Sequence, residues 1–207
     1  MNTNTREIIQ RHRLEALSDG VYAIILTLLV LEMKVPEVAS PHSVGALANA
    51  LLHLVPKFAS WIISFLMVAV IWINHHRLLG HIRHIDRTLF WLNMNLLLWT
   101  SFVPFPAALL GDYSGNPLAV FFFGMILLLN SVAFVAMRFY IFRNPALWSE
   151  HVSQPVARRL LKRSIVFGPM LYAVAASLAW VNPFAAWAMY LFIPIYFIFP
   201  SQKTTPS

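Results

Sequence analysis

In this 207-residue chain, polar and titratable side chains interrupt runs that are otherwise apolar at three places: Arg13, Ser18 and Asp19; Trp72, Asn74, His75 and His76; and Asn93 with Asn95. Such groups are costly inside an apolar run unless they find a partner or a water-filled cavity, so each is a candidate for function. Two chemistries suit these residue types. A hydrogen-bonded network joining three helices would fix one of them in rotation and depth. Alternatively, Asp19 with His75 or His76 would form a proton pathway or the heart of a proton-coupled transporter, because imidazole titrates near physiological pH.

Other chemistries find less support. His81 and His84 stand three apart, with His75, His76 and Asp86 nearby, but this stretch carries neither cysteine nor the Glu-containing zinc-protease pattern. No resident metal or cofactor is therefore expected. The chain has no cysteine at all, so thiolate nucleophiles and disulfides are excluded. It has no nucleophile elbow, phosphate-cradling glycine loop or paired intramembrane carboxylates, and an enzyme is not expected. With 7 glycines there is little room for a carbonyl-lined filter of the potassium-channel signature type.

The elements that must position these residues are membrane helices. The chain is 59% hydrophobic and 11% charged, with a mean hydropathy of +0.67, which is too apolar for a soluble domain of this length. Its net charge of +7 does not point to nucleic acid, because the basic residues flank the apolar runs instead of forming one patch. The reading is an all-α integral membrane protein of one domain over 1–200, with six spans at about 15–33, 55–74, 89–110, 117–140, 164–181 and 183–199, since about 20 apolar residues cross a bilayer. A polar tail follows at 201–207.

The connections alternate in charge. Arg6, Arg11 and Arg13, then Arg77, Arg83 and Arg87, then the 138–163 segment, then Lys203 fall on one side, which places both termini in the cytoplasm. Residues 44–53 read as an amphipathic lead-in to the second span, 77–87 as a short connection or helical hairpin, and 138–163 as room for a short amphipathic surface helix. The N-terminus lacks the order of a cleavable signal peptide, so the first helix is expected to stay in the mature protein.

The first span, RLEALSDGVYAIILTLLVLE, divides into two faces at 100° per residue. Ile24, Thr27, Leu28 and Leu31 fall within an arc of roughly 100°, and Asp19 projects about 140° away from Ile24. One side carries an aliphatic stripe with a single hydroxyl. The side bearing Asp19 should face helices of the same subunit. A stripe of this kind is ordinarily lipid-facing or packing, and alone it does not make a pore.

Arg13 followed by Leu17, Ser18 and Asp19 resembles the Arg-three-residues-Phe-Ser-Asp signature of the endosomal and lysosomal potassium channel family, transmembrane protein 175, and its bacterial homologues, with Leu17 in place of the Phe. The resemblance continues through GVYAIILTLLVLE, through 72–76, and from Asn93 to VPFPAALLG, roughly the first half of the chain. It implies six-helix subunits in the bacterial inner membrane, assembled as homotetramers with the first helices around a central pore. It implies a potassium-preferring leak channel whose permeant ion is its only ligand. Ile24 then matches the main constriction and Thr27, Leu28 and Leu31 the further pore-facing turns. Arg13, Ser18 and Asp19, with Trp72, His75 or His76, and Asn93, would hold the pore helix in place.

Overall fold

The computed structural model describes residues 11–148 and 166–198. Its first helix, α1 (Arg11–Leu31), is followed by a loop and then by α2 (Val44–His53), which Ser43 caps by accepting from the Ala46 N–H at 3.3 Å. α3 (Val55–Gly80) starts with Pro56 in its first turn, where the missing N–H is not needed. It runs a turn and a half beyond the expected limit near Asn74, so Arg77 to Gly80 belong to the helix. The connection that follows is correspondingly short and, instead of forming a hairpin, buries Ile82 and Ile85.

The third apolar stretch is broken. α4 (Arg87–Ser101) begins at Asp86, whose carboxylate caps the Leu89 N–H at 2.8 Å, and α5 (Pro104–Asp112) resumes after Phe102 and Val103. Pro104 and Pro106 cannot donate to the preceding turn, which explains the break. Asn116 caps α6 (Pro117–Arg143), again with proline at the first position. A single 3-10 turn, Pro145–Leu147, brings Trp148 against Ile82 in an isolated antiparallel bridge. The 138–143 part of the expected surface helix thus continues α6, and 149–165 lies outside the described residues, as do 1–10 and the tail.

After a π-turn at Val166–Met170 come α7 (Leu171–Leu178) and α8 (Pro183–Ile198). Asn182 accepts from the N–H groups of Phe184 and Ala185, so the tight turn before Pro183 doubles as a helix cap. Among the described residues, four stretches are long and apolar enough to cross a membrane: Arg11–Leu31, Val55–Gly80, Arg87–Asp112 and Pro117–Arg143. The last two apolar helices are shorter. Among the described residues the fold is all-helical, with no strand beyond that bridge.

Two buried clusters hold the helices together. One, around Tyr22, Ile25, Met67, Val68, Phe123 and Tyr190, joins α1, α3, α6 and α8; the other, around Leu14, Leu79, Ile82, Leu89 and Met137, closes the end where α1 starts and α3 stops. That end is basic, since it gathers Arg11, Arg13, Arg77, Arg83, Arg87 and Arg143. At the opposite end Lys57 pairs with Asp112, and Gly111 lies so close that a Cβ would meet the Lys57 Cα at 3.0 Å. Only glycine lets α5 approach α3 this closely.

Candidate functional site

α1 buries one face and exposes the other. Leu14, Ser18, Tyr22, Ile25 and Leu29 recur every three or four residues and are buried, which turns the helix by one stripe into α3, α4 and α5. Opposite them stand Leu17, Ile24, Thr27, Leu28 and Leu31, all exposed, with Ile24 at 58% and Leu31 at 72%. A row this apolar and this exposed on a single chain covers itself with lipid or with further protein. The Thr27 hydroxyl donates back to the Ile24 carbonyl at 2.8 Å and lies 3.2 Å from that of Ala23.

The buried face carries a directed chain of hydrogen bonds. Ser18, fully buried, donates its one proton to the Leu14 carbonyl at 2.8 Å. Its oxygen therefore accepts from the Asn93 amide nitrogen at 3.1 Å, which turns the Asn93 oxygen towards His75. His75 Nε2 lies 2.6 Å from that oxygen and must carry the proton that it shares. Only one arrangement of donors satisfies all three side chains, so α1, α3 and α4 are locked in register. The Tyr22 ring, 5.5 Å from the His75 ring, closes the chain on its apolar side.

Asp19, half-buried beside this chain, accepts from the Trp72 indole N–H at 2.8 Å. Trp72 in turn lies 5.9 Å from the exposed His76 ring. The two neighbouring histidines thus divide: His75 joins the buried chain and His76 stays outside it. Ser18, Asp19, Trp72, His75 and Asn93 come together as one group, and Ile24, Thr27, Leu28 and Leu31 as a separate exposed row. Arg13 joins neither group, being exposed without a hydrogen-bond or ion-pair partner among the described residues. Asn95 is exposed as well.

Arg11, two residues before Arg13, makes the ties at the start of α1. Its guanidinium pairs with Glu15 at 2.8 Å and donates to the Ile82 carbonyl at 3.0 Å, which ties the start of α1 to the end of α3. The Arg11 to Glu15 spacing of one helical turn was visible in the sequence, but carbonyl partners leave no sequence trace. A second buried bond, from the Asn130 amide to Thr100 at 2.6 Å, links α6 to α4 deeper in the bundle. Among the described residues no three His, Asp or Glu side chains converge as metal ligands would. The arrangement holds a helix in place and presents an apolar row; it contains no activated nucleophile.

The sequence profile of the family described as endosomal/lysosomal potassium channel TMEM175 matches residues 13–104, which include every member of the buried group. A potassium channel of Streptomyces collinus is 32% identical over 199 residues, with 94% of each chain covered. The crystal structure of a lysosomal potassium-selective channel TMEM175 homolog from Chamaesiphon minutus superposes with a TM-score of 0.80 at 32% identity, covering 91% of this chain and 96% of that one. A Gallus gallus protein named endosomal/lysosomal proton channel TMEM175 is 28% identical over 193 residues, which span 38% of its length. With about a third of its residues identical to bacterial relatives over nearly the full length of both, and with their fold, this chain belongs to the TMEM175 family of ion channels.

Proposed function

We propose that the chain is one subunit of a homotetrameric, potassium-preferring cation channel of the bacterial inner membrane, with six spans per subunit and both termini in the cytoplasm. The α1 helices of four copies line the pore, with Ile24 at the constriction and Thr27, Leu28 and Leu31 on the turns beyond it. The observation that carries this reading is the two-faced α1: a buried hydrogen-bonded chain on one side and an exposed aliphatic row on the other. A ring of isoleucines offers no oxygen ligands, so an ion must shed much of its hydration to pass. Potassium holds its water less tightly than sodium, and the resulting preference is modest. Dewetting of the same ring closes the path.

The names of a bacterial relative and of a solved homologue support potassium as the permeant ion. The test is the reversal potential of proteoliposomes under opposed potassium and sodium gradients. The wild type should prefer potassium, and Ile24→Asn should raise conductance and weaken that preference. Unchanged currents in the variant would move the constriction elsewhere.

The second reading is a proton pathway through Asp19 and His75 or His76, favoured by the proton-channel name of the vertebrate relative. In the same vesicles it predicts flux driven by a pH gradient alone and abolished by Asp19→Asn. Geometry favours the first reading, because His75 is committed to Asn93 and Asp19 to Trp72.

A further inference from the structure

None of the 10 residues of α2 is buried, and at roughly 100° per residue they divide into three arcs. Ala46 and Ala50 are half-buried and form the arc turned to the subunit. Asn49 and His53 make an exposed polar arc. A third arc, about 140° wide, carries Val44, Leu47, Leu51 and Leu52, all exposed, with Leu52 at 67%. The helix has no Asp, Glu, Lys or Arg, so nothing on it invites an ion pair. An apolar arc this wide needs a cover.

Position decides what that cover is. Lys57 and Arg77 stand about 20 residues apart on α3, or about 30 Å, which is the thickness of a hydrocarbon core. α2 precedes Lys57 and so lies at headgroup level, at the end opposite the basic one. The stretches outside the described residues, 1–10, 149–165 and 199–207, all join the chain at the basic end. Pro56 has no N–H to give the Leu52 carbonyl, and the helical ladder breaks at Leu54, whose N–H reaches back only to Leu51 at 3.0 Å. Across this joint the apolar arc runs on: after Leu51 come Val55, Phe58, Ile62 and Phe65, exposed and spaced by three or four residues. Close contact between membrane helices favours small residues, and this row has none, so it suits lipid. We propose that α2 lies in the plane of the membrane, with Leu47, Leu51 and Leu52 sunk among the upper acyl chains of the leaflet at this end and Asn49 and His53 turned to water. In the orientation proposed above, that leaflet is the outer one. Because the helix is uncharged, its partner is a phospholipid surface of any headgroup charge. The loop over 32–43, which joins α2 to the end of α1, is thereby pinned to the membrane at both ends.

With no cysteine in the chain, single introduced thiols report on each arc separately. The full chain is reconstituted in neutral phosphatidylcholine and labelled with a small fluorophore. Leu51→Cys should lose as much fluorescence to lipid brominated near the headgroup as Ile62→Cys loses to lipid brominated further down the acyl chain. Asn49→Cys should instead be quenched by iodide in the water. Leu47→Cys, on the same arc, repeats the measurement should Leu51→Cys not fold. Quenching of the Leu51 label by iodide in place of lipid would leave the arc bare and overturn the proposal. Protection of that label from both quenchers would put a second copy or another protein on the arc, which overturns it equally. An Ile62 label shielded from brominated lipid would show the α3 row covered by protein and overturn it as well. None of these readouts depends on which ion the protein conducts, so the proposal and the channel reading fail separately.

Discussion

The hydrogen-bonded chain through Ser18, Asn93 and His75 concentrates consequence in one amide. Removing it leaves the Ser18 oxygen without its donor and the His75 N–H without its acceptor, both fully inside the protein. Each orphaned buried group costs about 1–3 kcal/mol. Asn93→Leu should therefore lower the melting temperature of the detergent-purified protein by several degrees, whereas Asn95→Leu, two positions along the same helix and exposed, should leave it nearly unchanged. Equal melting of the two variants would mean that the chain contributes nothing. The polar residues that compose this group were legible in the sequence because amides and carboxylates stand out in apolar runs. Which histidine belongs to it was not, since adjacent positions on a helix differ by only 100°. The buried stripe of α3, from Ser60 through Ser64, Met67 and Val68 to His75 and Leu79, puts His75 on the inner face.

At the level of helices, close approach is set by small residues. Gly124 on α6 faces Ala176 on α7 and the hydroxyl end of Tyr190 on α8, and Tyr190 in turn donates to the Val120 carbonyl at 3.0 Å. A methyl group here would meet the Ala176 Cβ at 2.8 Å and force the tyrosine off its acceptor. Gly124→Ala should cost about 1–3 kcal/mol, the usual penalty for overpacking. The same substitution at Gly20, where nothing lies within 4 Å, should be neutral or slightly stabilising by thermal melting. Helix existence was readable from hydropathy alone; the caps at Ser43, Asp86 and Asn116 are seen in the structure. The ends were harder. α3 overran its expected limit because Asn74, His75 and Arg77 look like loop residues by composition, yet His75 is buried against Asn93 of α4 and Tyr22 of α1 and the helix runs on to Gly80. The break at Phe102 was announced by Pro104 and Pro106, but a proline pair does not say whether a span kinks or divides.

For the whole molecule, the exposed row on α1 is the surface that the proposed tetramer would cover. The absence of cysteine makes this easy to probe, because one introduced thiol can pair only with its own copy. In the proposed tetramer, Ile24→Cys lies nearest the axis and should form disulfide-linked dimers on mild oxidation in membranes. A monomeric mass in solution together with no linked species would remove the central pore. How copies meet was not legible from the sequence, because an aliphatic stripe on a membrane helix reads the same whether lipid or a neighbouring subunit covers it. Arg13 illustrates the difficulty: a signature residue by type and spacing, it has no partner among the described residues of one subunit, while Arg11 ties the start of the helix.

That fastening is lopsided. The bonds that tie α1 to α3 and α4 start at Arg11, Ser18 and Asp19, all in the half of the helix nearest the basic end, while the far half from Ile24 to Leu31 rests on the side-chain packing of Ile25 and Leu29. α1 is in effect a cantilever, clamped at one end and lightly supported at the other. A beam so mounted deflects in proportion to distance from the clamp, so Leu31 travels furthest for a given thermal or applied force and Ile24 the least of the row. In the proposed tetramer the ring at Ile24 would then be stiffer than the turns beyond it, and the mouth at Leu31 would be the part that breathes.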